Sequence, residues 1–513
     1  MDDGAGWGRR YLGLALVALA LVGLAALLLA SRGAQATNDP PPSGGTVSGD
    51  WTVTDDRAYA GCTITLAGNL TVSGSGKLTL DSVLLVMGPS FQGQYGIEVR
   101  SGGVLLIRDG TILTAAAGRE YRFVVREGGN LTVSDSELRR CGYSWGSEGE
   151  LSGVYILSDN CRFDQSTVSS SYFGVVVNGA SPRFTDCSFT GNSQGCVVIN
   201  SSAPFSGCTF EYNQNGANFE NFSGSLSNCT FAFNTGFGVL AYRSGGNISR
   251  CDFVANSAGN CVMISSDAVM SNCTLRDSLY GLYVDRGSPR VLGSTLTGNR
   301  YGAYLYESSP SFVDCTISQS SLFGLSCSHG AASLSNCKIF GTGYSPRDGF
   351  YWGRGIEAFS SKLTFSTGML YDNYFGMEAR YSTLTVSDVQ FNSNAVGIWA
   401  LETGTYITGC DFSKNLQIGA HLTEYCTGAF ERCTFTCMTQ GAAFDRRTST
   451  RMSNSSFSYC REGLRLYDCD PDAAVLGCTF ENNSIGASLM GSAGRVLSCS
   501  FAFDANSSLS CSG

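Results

Sequence analysis

Phe184-Thr185-Asp186-Cys187-Ser188-Phe189-Thr190-Gly191-Asn192-Ser193-Gln194-Gly195-Cys196-Val197-Val198 is the unit from which most of this chain is built. Its skeleton is an apolar residue at Phe184, Cys187, a second apolar residue at Phe189, Asn192, Gly195, and apolar residues again at Cys196 and Val198. The skeleton recurs every 21 to 23 residues, with the cysteine position at Cys187, Cys208, Cys229, Cys251, Cys273, Ser294, Cys315 and Cys337. After a longer gap it continues at Gly368, Val389, Cys410, Cys433, Ser455, Cys478 and Cys499. Two residues later an apolar side chain always follows, and five residues later often an asparagine (Asn192, Asn213, Asn234, Asn394, Asn415).

A fixed period of this length marks stacked supersecondary units. Helical repeats are excluded, because apolar residues inside each unit are two apart and Gly, Ser, Thr and Asn fill the gaps. Three short strands separated by bends make one coil. Stacked coils place like side chains in ladders along parallel sheets. At the bends, Asn is expected to adopt left-handed backbone angles and to hydrogen-bond its copies above and below, with Gly supplying a second bend. The chain is thus expected to be all-β, a parallel solenoid of about nineteen coils.

On these residues the chain resembles the right-handed parallel β-helix repeat family, within the pectate-lyase-like superfamily, over about residues 62 to 510. The resemblance implies fold. The superfamily holds polysaccharide lyases, polygalacturonases, epimerases, phage tailspikes, copper-site maturation proteins and surface proteins, so it does not fix function. Ser328-His329-Gly330 resembles a short polygalacturonase element, but the family's other elements have no counterpart in suitable places, and His329 reads rather as a turn residue.

Tyr11 to Ala30 is an unbroken apolar run preceded by Arg9 and Arg10, long enough to span a bilayer. The flanking charges put the coils outside the cytoplasm. Residues 1–36 are therefore expected to be a retained anchor or, with Ala34-Gln35-Ala36 as a cleavage site, a signal peptide released after Ala36. Residues 37–50, with three consecutive prolines, read as a linker; 51–135 as irregular opening coils with a charged cap around Arg119 to Glu127; and 136–513 as the regular repeats. Insertions interrupt them at 141–152 and 342–354. Ten N-x-S/T sequons are compatible with glycosylation.

Only 15% of residues are charged and the net charge is −9, which argues against a nucleic-acid partner. With two histidines in the whole chain no metal site is expected, and no cofactor. Ca²⁺ at Asp468-Cys469-Asp470-Pro471-Asp472 is the one conceivable exception. Of the 22 cysteines, the ladder set reads as buried thiols acting as small hydrophobes. Off-ladder Cys141, Cys161, Cys426, Cys437, Cys460, Cys469 and Cys511 are the better disulfide candidates.

After each ladder glycine, the first and third residues are apolar and point inward, so the second and fourth point outward. The outward rows hold Tyr283, Tyr304, Ser326, Glu357, Glu378, Trp399 and His421, then Asp285, Tyr306, Ser328, Phe359 and Arg380. With Tyr351 and Trp352 of the second insertion, aromatics and acids line one flank, as a glycan site requires. Ring faces of Tyr283, Tyr304, Tyr306, Tyr351, Trp352 and Trp399 are expected to stack on sugars. Glu357 and Glu378, as ladder neighbours, are the candidate acid/base pair, since like charges that close push one pKa up. Arg380 and His421 would assist. Two readings remain. One is an extracytoplasmic surface protein, without catalysis, that binds polysaccharide or cell-envelope glycans or acts as a rigid spacer. The other is a polysaccharide lyase, hydrolase or epimerase using Glu357, Glu378 and Arg380. Oligomeric state is left open.

Overall fold

The computed structural model describes residues 39–143, 152–345 and 350–512. Within these there are strands and turns but no helix, and about 21 parallel turns rather than nineteen. The expected anchor at 11–30 lies outside the described residues, and no helix among those described is long and apolar enough to cross a membrane. The chain forms two compact units, Met1–Leu240 and Ala241–Gly513.

In the first unit the regular coil has three strands, as in Arg183–Thr185, Ser188–Thr190 and Gln194–Ile199. Each pairs in register with its counterpart one coil on: Phe189 faces Phe210 and Val198 faces Phe219. Parallel register stacks identical rings face to face. Phe189, Phe210 and Phe231 lie 4.7 Å apart, tilted by 5–6°. Each fully buried Phe contributes about 2–3 kcal/mol of transfer free energy. The opening stretch is more regular than expected. Gly44–Ser48, inside the presumed linker, pairs with Thr63–Ala67. The presumed cap at Arg119 to Glu127 contains a ladder strand, Arg122–Val125, whose Phe123 and Val125 are buried. Its Arg126 joins Arg100 on Glu98, each at 2.7 Å. Burial pushes the Glu98 carboxyl up, but these guanidinium bonds outweigh it and hold it below its ordinary range.

The second unit repeats the pattern through Ser507–Ser512. Its Phe391, Phe412, Phe435 and Phe457 stack 4.7 Å apart.

The corners differ from expectation in one respect. The left-handed residue is not the asparagine but its predecessor: Gly191, Tyr212, Phe233, Ser393 and Lys414 all have φ of 53–64°. The asparagine itself turns inward and builds a buried ladder. The Nδ2 of Asn373 donates to Asn394 Oδ1 (3.0 Å), that of Asn394 to Asn415 Oδ1 (3.2 Å), and Asn394 Nδ2 also reaches Leu370 O at 2.9 Å. The cysteine corner obeys the same rule. Asp186, Asn228, Asp314 and Arg432 are left-handed, and the following cysteine thiol donates to the carbonyl two residues back, at 3.2–3.5 Å. Ser294 and Ser455 do so with a hydroxyl in the same place. A third corner uses Ser266, Ser361, Ser382 and Thr403 in this way.

The ladder glycines are not bends either. They sit inside strands, where a Cβ on Gly195 would come within 2.3 Å of the Gly216 carbonyl oxygen; coil spacing, not φ, demands Gly there.

The cysteines are free thiols, and most are buried. This corrects the disulfide expectation for Cys141, Cys161, Cys426, Cys437, Cys460, Cys469 and Cys511. Cys426, Cys460 and Cys469 are corner residues whose thiols donate to backbone carbonyls, and Cys141 donates to the buried Tyr121 hydroxyl at 2.9 Å. Burial pushes the Cys410 thiol up to about 12, which suppresses the thiolate and its reactivity.

Two outcomes follow. In the native protein a thiol reagent should label the exposed Cys437 and Cys511 first, with the buried ladder reacting only on unfolding; ladder disulfides in mass mapping would contradict this. In urea unfolding, Asn394→Ala should cost about 2–4 kcal/mol by orphaning buried backbone and amide groups, whereas Cys315→Ser should cost under about 1 kcal/mol.

Candidate functional site

Apart from Tyr351 and Trp352 of the insertion, the predicted residues fall on one sheet of the second unit. Its strands run Tyr280–Asp285, Tyr301–Tyr306, Phe323–Ser328, Arg354–Phe359, Phe375–Arg380, Val396–Leu401 and Ile418–Thr423. Register makes Tyr283, Tyr304, Ser326, Glu357, Glu378, Trp399 and His421 consecutive ladder neighbours, as the rows predict.

Glu378 departs most from expectation. It lies on the outer side of the sheet, yet only 2% of its side chain is exposed. Arg380 Nη2 sits 2.5 Å from one carboxylate oxygen, and Arg354 Nε donates to the other. Arg380 in turn lies over the Trp399 ring at 5.3 Å, and Arg354 over Phe323 at 5.2 Å. Glu378 is therefore the carboxylate that fixes two guanidinium groups, one on each of its oxygens. Glu357 is the freer carboxyl. Ser326 Oγ donates to it at 2.9 Å. Burial, ahead of every other influence, raises its pKa; the Glu378 charge is a minor contributor. The mechanism expected for the acid pair, mutual repulsion, is thus replaced by desolvation.

His421 pairs through Nε2 with Asp445 at 2.9 Å, and Arg465 reaches the same carboxylate at 2.8 Å. Burial pushes the Asp445 carboxyl up, but hydrogen bonds from His421 and Arg465 more than offset this and hold it low. Asp445 and Arg465 escaped the sequence reading, which placed Arg354 only at the end of an insertion and not beside Glu378. Running the same rows two coils beyond His421 reaches Asp445 and Arg465, and Arg354 stands directly before the ladder glycine Gly355.

The aromatic residues also behave differently from expectation. Tyr283 stacks on Tyr304 (5.5 Å, 11°), and Tyr280 on Tyr301 (5.1 Å, 24°). Ladder neighbours occupy these ring faces, so edges and hydroxyl groups are left for a ligand. Tyr306 meets His329 edge-on at 5.9 Å. His329 is a left-handed corner residue (φ 57°), which supports the turn reading. Trp352 is 60% exposed, with one face on Tyr374 at 5.6 Å. The backbone of Tyr351 pairs with Tyr344 in a short antiparallel ladder; residues 346–349, and 144–151 of the other insertion, lie outside the described residues. Asp468 is a corner residue, and no group of three or more metal-ligating side chains occurs among the described residues.

This architecture defines a parallel β-solenoid carrying a polar aromatic face. The chain belongs to the family described as the right handed beta helix region, whose sequence profile matches residues 60–210, 197–366, 260–409 and 375–507. Comparison with curated proteins found no significant match. Among solved structures, the chain is similar to the periplasmic alginate epimerase AlgG (11% identity, 76% of this chain and 84% of that one, TM-score 0.27). It is also similar to the A-module of the Azotobacter vinelandii mannuronan C-5 epimerase AlgE4 (11%, 92% and 91%, 0.20). A third is PfbA, a surface adhesin of Streptococcus pneumoniae (8%, 89% and 85%, 0.18). At these identities and scores the likenesses say nothing of chemistry.

Glu357 gives a signed pH test. Its folded-state pKa is raised, so its stabilising contribution is complete below the ordinary carboxylate pKa and is lost as pH rises through the folded value. Glu357→Gln retains an acceptor for Ser326 and should raise Tm at pH 7, the gain vanishing near pH 4. Glu378→Ala, which strands two guanidinium groups, should instead cost about 3 kcal/mol at pH 7.

Proposed function

We propose that this chain is an exported surface β-helix that binds glycans on the second-unit face without turning them over. The observation that carries this is the state of Glu378. A retaining or inverting glycosidase needs two carboxyl groups free to act on one bond. Here one of the two candidates is buried and committed to Arg354 and Arg380. What remains is a preorganised polar surface. The tyrosine edges, the exposed part of Arg380, the Glu357 carboxyl and the His421–Asp445–Arg465 cluster can donate and accept hydrogen bonds along an extended ligand, and Trp352 offers an exposed ring. Their side chains are held by neighbours, which lowers the entropic cost of binding. In this reading Tyr11 to Ala30 anchors the chain with its coils outside the cytoplasm, and cleavage after Ala36 would release it.

The raised pKa of Glu357 favours a second reading, in which it acts as the general acid of a polysaccharide-active enzyme. One screen separates the two. The full chain is incubated with a panel of polysaccharides, and both retention and products are measured. Binding without products, weakened at least about tenfold by Arg380→Ala or Trp352→Ala, is the expected result. Product formation abolished by Glu357→Gln would establish the enzyme instead.

A further inference from the structure

The corner that follows the sheet bearing this face is built from one left-handed residue per coil at His329, Ser360, Tyr381 and Glu402. In the next two coils it is doubled. Glu424 and Tyr425 are both left-handed (φ 50° and 57°), and so are Arg446 and Arg447 (φ 51° and 58°). The extra residue lengthens the corner. Cys426 and Thr448 accordingly bond back to a carbonyl three residues earlier, not two, at 3.2 and 2.6 Å. A left-handed residue is the ordinary corner device of this chain, so the extra residue, not the conformation, sets these two corners apart. The lengthened corners flank a shallow cavity of about 410 Å³ lined by Glu424, Tyr425, Arg446, Arg447, Tyr467 and Asp468.

The lining groups divide by role. Arg446 is taken by Glu424 at 2.8 Å. Arg447 has no carboxylate within ion-pair distance among the described residues. Its Nη1 donates to the Tyr425 hydroxyl at 2.8 Å, and its guanidinium lies 5.6 Å from the centre of that ring. It is thus held in place with N–H groups still to give. Tyr425 and Tyr467 are 55% and 48% exposed and wall the cavity, and Asp468 supplies a hydroxyl acceptor. We propose that this cavity is a second binding site, separate from the face above, for a monosaccharide-sized ligand bearing an oxyanion. Arg447 takes the oxyanion, Tyr425 and Tyr467 flank the sugar, and Asp468 accepts from its hydroxyls. The oxyanion could also be a free inorganic ion, and the test distinguishes the two sources.

Isothermal titration of the full chain with glucose 6-sulfate, inorganic sulfate and glucose tests this. Glucose 6-sulfate should bind saturably, sulfate more weakly, and glucose not measurably. Arg447→Asn removes the guanidinium while retaining a residue that tolerates the left-handed corner, so Tm should hold. The variant should weaken glucose 6-sulfate at least about tenfold. Absence of glucose 6-sulfate binding to the folded chain, or an unchanged affinity in Arg447→Asn, would overturn the proposal. Sulfate binding as tightly as the sugar ester would overturn its sugar component. Polysaccharide retention on the face should be unaffected by Arg447→Asn, so the two sites stand or fall separately.

Discussion

Every regular coil depends on one local device: a residue in the left-handed region followed by a small polar side chain that hydrogen-bonds back to the carbonyl two residues earlier. That carbonyl already accepts a backbone N–H from the neighbouring coil, as Thr185 O does from Gln165 at 2.9 Å and Arg380 O from Ser360 at 3.0 Å; the side chain adds a second bond that pins the corner and satisfies its own buried donor. Cysteine, serine, threonine and asparagine can all serve. This is why the ladder tolerates Ser294 and Ser455 among cysteines, and why so many thiols occur with no disulfide. Once the corners are fixed, strands fall into parallel register, and the phenylalanine stacks follow from that register.

The same register governs the outer surface. Neighbouring coils bring like positions together, so aromatic rings stack on each other and turn their edges outward. Charged residues find partners along their own strand and on adjacent coils. Glu378 lies between Arg354 and Arg380, and Asp445 between His421 and Arg465. The surface is therefore largely a lattice of compensated charges, in which Glu357 makes no ion pair among the described residues. On the proposed reading such a lattice recognises a long polar ligand, bond cleavage requiring groups free to change protonation.

Most of the fold was legible because a strict period repeats one solution many times; the Phe189, Cys187 and Asn192 positions each announce an inward ladder. What sequence could not show were the φ angles. The residues before Asn192 and Cys187 vary freely in type (Gly191, Tyr212, Asp186, Arg432), since only their backbone matters. The ladder glycines misled for the same reason: a bend and a close approach both call for Gly. The site was legible as a row but not as a set of contacts. The partners of Glu378 come from a different position in the coil, and Arg354 stands at the edge of an insertion that obscures the repeat. The doubled corner at Tyr425 and Arg447 was hidden because one extra residue barely alters the period.

The most direct test of the central claim, that the second-unit face is a ligand-binding surface, is hydroxyl-radical footprinting of the full chain with and without the polysaccharide it retains most strongly. The account predicts protection of Trp352, Trp399, Tyr283 and Tyr304, with Tyr212 and Phe233, exposed corner residues of the first unit, unchanged. Protection confined to Tyr212 and Phe233, or no protection at Trp352 and Trp399 under saturating ligand, would contradict it.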